Sequence, residues 1–143
     1  MLVEAHAVEA ELVGILHLVE ILVIELGTFL RIVVAVRERD PCGAVLAGAL
    51  ARSVKRAKLA ILGRALPLLN NPLMIAEEYA ILDNLTRGRV IAGFVRGIGA
   101  EYHAMGINPA YSQERYAEAH DLIVRAWTEP GPFPYVGKHY QFK

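Results

Sequence analysis

The chain has 143 residues, 15 basic against 15 acidic side chains, a formal net charge of +0 and 55% hydrophobic residues, a composition that fits one globular unit with a buried core and excludes a disordered tail. Its longest basic cluster, "RSVKRAK" at 52–58, has no aromatic platform interleaved with it, which argues against a nucleic-acid binder. The single Cys42 excludes an intramolecular disulfide and five scattered histidines lack metal-ligand spacing, so no metal is expected and a reducing cytoplasm is the expected compartment.

The segment 11–36, "ELVGILHLVEILVIELGTFLRIVVAV", is apolar enough to suggest a membrane span, but His17, Glu20, Glu25 and Arg31 interrupt it. Charges at mid-bilayer cost roughly 2.5–3.5 kcal/mol each, which disfavours a spanning helix. An acidic start, "MLVEAHAVEAE", and the lack of a small-residue cleavage site disfavour a signal peptide. Residues 2–26 are read as a helix and 28–36 as a buried strand, because β-branched residues dominate only in the latter.

From Pro41 onward the pattern is easier to divide. Residues 44–57 suit a helix with basic residues in its last turn. "KLAIL" (58–62) gives a strand ending at Gly63, and Pro67 in the loop that follows rules out continued central pairing. Asn71 caps the next helix with Pro72 at its first position, Ile75, Tyr79, Leu82 and Leu85 form its apolar stripe, and Gly88 ends it after Arg87. "RVIAGFV" (89–95) is an apolar strand of the kind covered on both faces. A helix opens at Ser112, with Tyr116, Ala119, Ile123 and Trp127 on one face, and "EPGPFP" breaks it. Tyr135 to Phe142 around Gly137 and Lys138 predict a small hairpin that acts as a lid edge or packing flap.

This helix–strand alternation means a parallel sheet, and ligands in such sheets gather at the carboxyl ends of strands. The loops 63–71 and 96–111 lie at those ends. "GIGAEY" (97–102) fails the dinucleotide fingerprint, since Tyr102 stands where the third glycine belongs. Arg96 with the backbone N–H groups of Gly97 and Gly99 suits a single phosphate. On local pattern alone, an Arg96–Glu101 pair at the sheet rim explains the arginine equally well.

The stretch from "LPLLNNPLMIAEEYAILDNLTRGRVIAGFVRGIGAEYHAMGINP" through "ERYAEAHDLIVRAWTEPGPFPYVGKHYQF" resembles the bacterial luciferase-like flavin-dependent monooxygenases. The shared features are the NP-initiated helix, its "LDNLTRGR" exit, the strand ending in "RG", the "EYHAMGINP" segment and the Trp-bearing helix before "GKHYQF". The resemblance covers about 42–143 and implies part of a (β/α)₈ TIM barrel, with 1–41 a separate, non-matching apolar segment. It implies a reduced FMN cofactor, or a deazaflavin in some branches, with Arg96 helping to hold the flavin phosphate. It also implies oxygenation of a small organic substrate by O2, and a flavin reductase as partner.

By the same resemblance Leu62, Gly63 and Arg64 lie near the isoalloxazine ring, although the bulk of Arg64 conflicts with normal flavin seating, and a solvent-exposed loop arginine is its simpler reading. Asn70 and Asn71 match a polar pair at the helix start, where capping alone explains Asn71. Tyr102 and His103 are candidate proton donors, against a packing role for Tyr102 and Met105 that leaves His103 exposed. Glu77, Glu78 and Asp83 read as helix-surface charges, with Glu78 able to meet a partner at the barrel end.

A full barrel needs roughly 250 residues. The chain is therefore expected to be a truncated copy with little independent activity, with 1–41 arising from a shifted frame or rearrangement. Its open sheet edge predicts self-association or a homo-oligomer. A non-catalytic flavin-binding or protein-interaction fragment is the alternative, and a doubly wound nucleotide-binding domain is a third reading.

Overall fold

The computed structural model describes residues 19–26, 29–37 and 43–143. In chain order they form β1 (Val19–Leu26), β2 (Phe29–Arg37), α1 (Gly43–Ser53), β3 (Lys58–Ala65), α2 (Pro72–Thr86), β4 (Val90–Val95), α3 (Gly99–Ala104), α4 (Ser112–Thr128), β5 (Tyr135–Val136) and β6 (Gln141–Phe142). Single 3₁₀ turns occupy Leu66–Leu68 and Pro109–Tyr111.

Four strands make one sheet in the order β1-β2-β3-β4. β2, β3 and β4 are parallel, joined through α1 and α2, as the alternation predicts. β1 runs antiparallel to β2 with Val19 opposite Val36 and Leu26 opposite Phe29, so the sheet is mixed and not wholly parallel. This corrects the helix expected over 2–26, of which 2–18 lie outside the described residues. "VEILVIEL" carries four β-branched residues in eight and has a neighbouring strand to pair with, which together override its helical potential. β2 is hydrogen-bonded to β3, so one sheet crosses the boundary expected at 41/42.

One face of the sheet is covered by helices. Leu59 and Ile61 of β3 pack in a single core with Ala47 and Leu50 of α1, Ile75, Tyr79 and Leu82 of α2, and Ala119, Leu122 and Ile123 of α4. Burying each large side chain contributes about 1.5–3 kcal/mol. The opposite face is open: Leu62, Ile91 and Val95 keep 44%, 42% and 42% of their surface exposed. The continuous apolar run of β4 is thus not covered on both faces: Val90 and Phe94 pack against the helix-covered core, whereas Ile91 and Val95 on the other face stay exposed.

The helix ends follow local chemistry. Asn71 caps α2 through Oδ1, which accepts the Leu73 N–H at 3.1 Å, and Pro72 stands in the first turn. The α2 stripe is Ile75, Tyr79, Leu82 and Thr86, whereas Leu85 is 62% exposed; the i, i+4, i+7, i+11 spacing keeps Thr86 on the core side. Arg87 adopts the left-handed conformation beyond the last turn, followed by Gly88. α1 ends at Ser53, four residues before the expected end, with the Val54 N–H still bonded to the Leu50 carbonyl at 2.8 Å. The expected loop 96–111 contains α3 and a 3₁₀ turn.

The predicted hairpin is present, with Tyr135 opposite Phe142. It packs against α4 and does not stand free: Tyr135 and Tyr140 are buried in the core. The Glu118 carboxylate of α4 accepts the backbone N–H groups of Lys138 and His139, each at 2.9 Å, and of Tyr140 at 3.3 Å.

Candidate functional site

The site is built by an irregularity in the sheet. Leu59, Ala60 and Ile61 pair in step with Val90, Ile91 and Ala92, and the register then resumes at Arg64 opposite Phe94. Leu62 and Gly63 therefore face the single Gly93, a β-bulge that uses the positive φ of Gly63, +102°. The bulge carries the strand past Gly63, where the sequence suggests it should stop, to Ala65.

The bulge also decides where Arg64 points. Its guanidinium meets Glu78 of α2 at 3.5 Å on the helix-covered side, so it is neither an exposed loop arginine nor an obstruction on the open face. Glu78, read from the sequence as a helix-surface charge able to meet a partner at the barrel end, meets Arg64. Leu62, on the other side of the strand, stays on the open face with Ile91 and Val95.

At the end of β4 the chain turns through Arg96, Gly97 and Ile98. Gly97 has φ +87°, and a Cβ there would lie 2.9 Å from Glu101 Oε2, 3.3 Å from Ala65 Cβ and 3.4 Å from Leu68 Cδ1. The turn therefore closes against the end of β3. Gly63 stands 3.7 Å, measured from its ideal Cβ position, from the Val95 methyls, which brings Gly63, Val95 and Gly97 to one rim. Glu101 does not pair with Arg96; its Oε2 accepts the Ile98 N–H at 2.8 Å and fixes the first turn of α3. Among the described residues the exposed Arg96 guanidinium has no ion-pair or hydrogen-bond partner within the chain.

Tyr102 is 4% exposed, and its hydroxyl donates to the Arg96 carbonyl. That bond makes it a positioning group for the Arg96 turn. His103 is exposed on the short helix α3, and Met105 is 57% exposed instead of packed beneath the loop. Asn70 is exposed in the bend before α2 and makes no hydrogen bond to Arg96 or Gly97 among the described residues. Glu77 and Asp83 lie on the exposed side of α2. No group of three or more His, Cys, Asp or Glu residues suited to a metal occurs among the described residues.

One organising residue was not apparent from the sequence. Arg115, in the first turn of α4, donates from Nε to the Pro67 carbonyl at 2.9 Å and from Nη2 to the Leu69 carbonyl at 3.1 Å, and lies 4.9 Å from the Tyr140 ring centroid. The Tyr140 hydroxyl donates to the same Leu69 carbonyl at 3.2 Å, and burial pushes that phenol upward, keeping it a donor. Arg115 thereby fastens the loop after β3 to α4 and the hairpin. Its only sequence signal is a basic residue where an acidic first turn is usual. Arg115→Ala is expected to lower unfolding free energy by about 2 kcal/mol in urea titration, and Arg115→Lys to recover less than half of it, since lysine lacks the planar fork. Full recovery by lysine would show that charge alone does the work.

The sequence profile described as luciferase-like monooxygenase matches residues 20–143, beginning in the segment read from the sequence as unlike that family. The chain is 39% identical over 64 residues to 4-hydroxyprotoasukamycin monooxygenase of Streptomyces nodosus subsp. asukaensis, covering 44% of this chain and 17% of that protein. It is 35% identical over 78 residues to limonene 1,2-monooxygenase of Rhodococcus erythropolis, covering 54% and 20%. Among solved structures, the oxygenating constituent of 3,6-diketocamphane monooxygenase from Pseudomonas putida, in complex with FMN, superposes with a TM-score of 0.68 at 22% identity, over 76% of this chain and 32% of that one. The chain thus spans between about a sixth and a third of the length of these relatives.

Proposed function

The chain belongs to the luciferase-like monooxygenase family, and from that premise we propose that it supplies the phosphate-holding end of a flavin site in an oxygenase acting on a small organic substrate with O2. The observation that carries the reading is the exposed, unpartnered Arg96 guanidinium beside Gly97, whose missing Cβ and positive φ let the turn close against the end of β3 and hold the arginine at the rim. The donor set fits a phosphate monoester: one permanent cation and a glycine turn at the carboxyl end of a parallel strand. The FMN complex of the diketocamphane enzyme supports flavin as the cofactor.

Reduced FMN supplies the oxygen-activating chemistry when bound. The chain's own residues bind and orient. Arg96 grips the phosphate, Tyr102 holds the Arg96 carbonyl in place, and Glu101 ties down the Ile98 N–H so that the turn keeps its shape. Leu62, Ile91 and Val95 give the open sheet face an apolar surface suited to a flavin ring and to exclusion of water. Arg64, drawn to Glu78 on the other side, leaves that face clear. Gly63 lines the rim. Cellular reduced flavin would come from a separate reductase.

The alternative reading is a flavin-binding unit without turnover of its own. Calorimetric titration with FMN and with riboflavin tests the flavin assignment in either case. FMN is expected to bind about tenfold more tightly than riboflavin, the contribution of one charge-assisted phosphate contact. Equal affinities for the two would remove the phosphate role.

A further inference from the structure

The two carboxylate oxygens of Glu118 accept three consecutive backbone N–H groups of the hairpin, Lys138 at Oε1 and His139 and Tyr140 at Oε2. The hairpin is shaped around that carboxylate. A Cβ at Gly137 would overlap Glu118 Oε2 and lie 3.0 Å from its Cδ, so only glycine leaves the carboxylate room to seat. We infer that Glu118 is a positioning residue for the Arg96 turn, acting through the hairpin and the loop after β3.

The contacts that connect them form one short chain. Arg115 and Glu118 are three residues apart and so are neighbours on one face of α4. Tyr140 joins the two: its N–H donates to Glu118, its ring faces the Arg115 guanidinium, and its hydroxyl donates to the Leu69 carbonyl that Arg115 also holds. Hairpin, α4 and loop are thereby fastened at one point. The 3₁₀ turn at Leu66–Leu68 buries Leu66 and Pro67, which makes it a packed unit that passes on a displacement of Leu69. That unit is the floor of the Arg96 turn, since Leu68 Cδ1 and Ala65 Cβ lie 3.4 Å and 3.3 Å from the ideal Cβ position of Gly97. From the other side the Tyr102 hydroxyl holds the Arg96 carbonyl. The contacts stand by themselves, and only their consequence for FMN rests on the phosphate reading above.

Glu118→Gln tests the chain at its origin. It keeps the size and helix propensity of the side chain but turns one acceptor oxygen into an NH2 group, which sets donor against donor in the hairpin. Tyr140→Phe tests the middle link, removing only the hydroxyl bond to Leu69 and keeping the packed ring. Ile75→Val, in the core on α2, is the control for a general loss of stability. The Gly97 amide resonance of the full, nitrogen-15-labelled chain is expected to move in Glu118→Gln and in Tyr140→Phe and to stay in place in Ile75→Val. In Glu118→Gln the preference for FMN over riboflavin is expected to fall from about tenfold to about threefold, with riboflavin affinity unchanged. A Gly97 resonance that does not move in Tyr140→Phe would overturn the proposal, as would an equal movement in Ile75→Val or an undiminished FMN preference in Glu118→Gln. A parent protein that binds both flavins alike removes the phosphate reading instead, and the Gly97 resonance then decides the positioning role without it.

Discussion

Gly93→Ala is expected to lower unfolding free energy by about 3 kcal/mol and the melting temperature by roughly 10 °C. The reason is geometric. A Cβ at residue 93 would lie 2.5 Å from the Ile61 carbonyl oxygen and 3.3 Å from Leu62 Cα, and both are backbone atoms of the bulge. Neither can rotate away, so the two strands must separate. Two other glycines calibrate the result. Gly48 sits in α1 with its nearest neighbour, Leu82 Cδ2, 3.8 Å from the ideal Cβ, so Gly48→Ala is expected to stabilise by about 0.5–1 kcal/mol through helix propensity. Gly63 has room, with Val95 methyls at 3.7 Å, but its φ of +102° makes Gly63→Ala cost about 1–2 kcal/mol in backbone strain. The order Gly93, Gly63, Gly48 from most to least damaging, read by thermal denaturation, checks the bulge. An undisturbed Gly93→Ala protein would mean that β3 and β4 do not approach one another in this way.

Arg96→Ala is expected to weaken FMN binding about tenfold while leaving stability within about 0.5 kcal/mol of the parent. The binding loss follows from removing one charge-assisted contact, worth about 1.5 kcal/mol at an exposed position. The small stability effect follows because the guanidinium makes no bond within the described part of the chain and the fold uses only the backbone of residue 96, through the Tyr102 hydroxyl. Tyr102→Phe keeps the charge but frees the carbonyl, so it is expected to reduce binding less than Arg96→Ala does. Stability loss in Arg96→Ala comparable to that of Arg115→Ala would assign the arginine a structural role instead.

Much of this architecture was legible because local signals agreed with each other. Asn71-Pro72 at the start of α2 and Gly88 past its end pair a cap and a breaker with an apolar stripe between, and the boundaries come out within a residue. The hairpin around Gly137 was similarly plain, since Tyr135 and Phe142 bracket a glycine-containing turn. The failures have tertiary causes. "VEILVIEL" has the length and charge spacing of either element, and pairing with β2 decided it. The bulge at Gly63 was hidden because a lone glycine at a strand end reads equally as a stop, and only Gly93 on the neighbouring strand makes it a bulge. The orientation of Arg64 followed from that missed bulge. Arg115 was invisible because its partners are carbonyls, which every residue has. Of the site itself, the Arg96–Gly97 turn could be located by its place at a strand end, whereas the Arg96–Glu101 pair, equally plausible by spacing, lost to the unpaired Ile98 N–H.

The most direct test of the account crosses the ligand with the residue: calorimetric titration of the parent chain and of Arg96→Ala, each with FMN and with riboflavin. If Arg96 holds the flavin phosphate, the parent should favour FMN by about tenfold, the variant should bind the two flavins alike, and riboflavin affinity should be the same for both proteins. A preference for FMN that survives in Arg96→Ala would place the phosphate elsewhere on the molecule, and equal, tight binding of both flavins by the parent would contradict a phosphate site altogether.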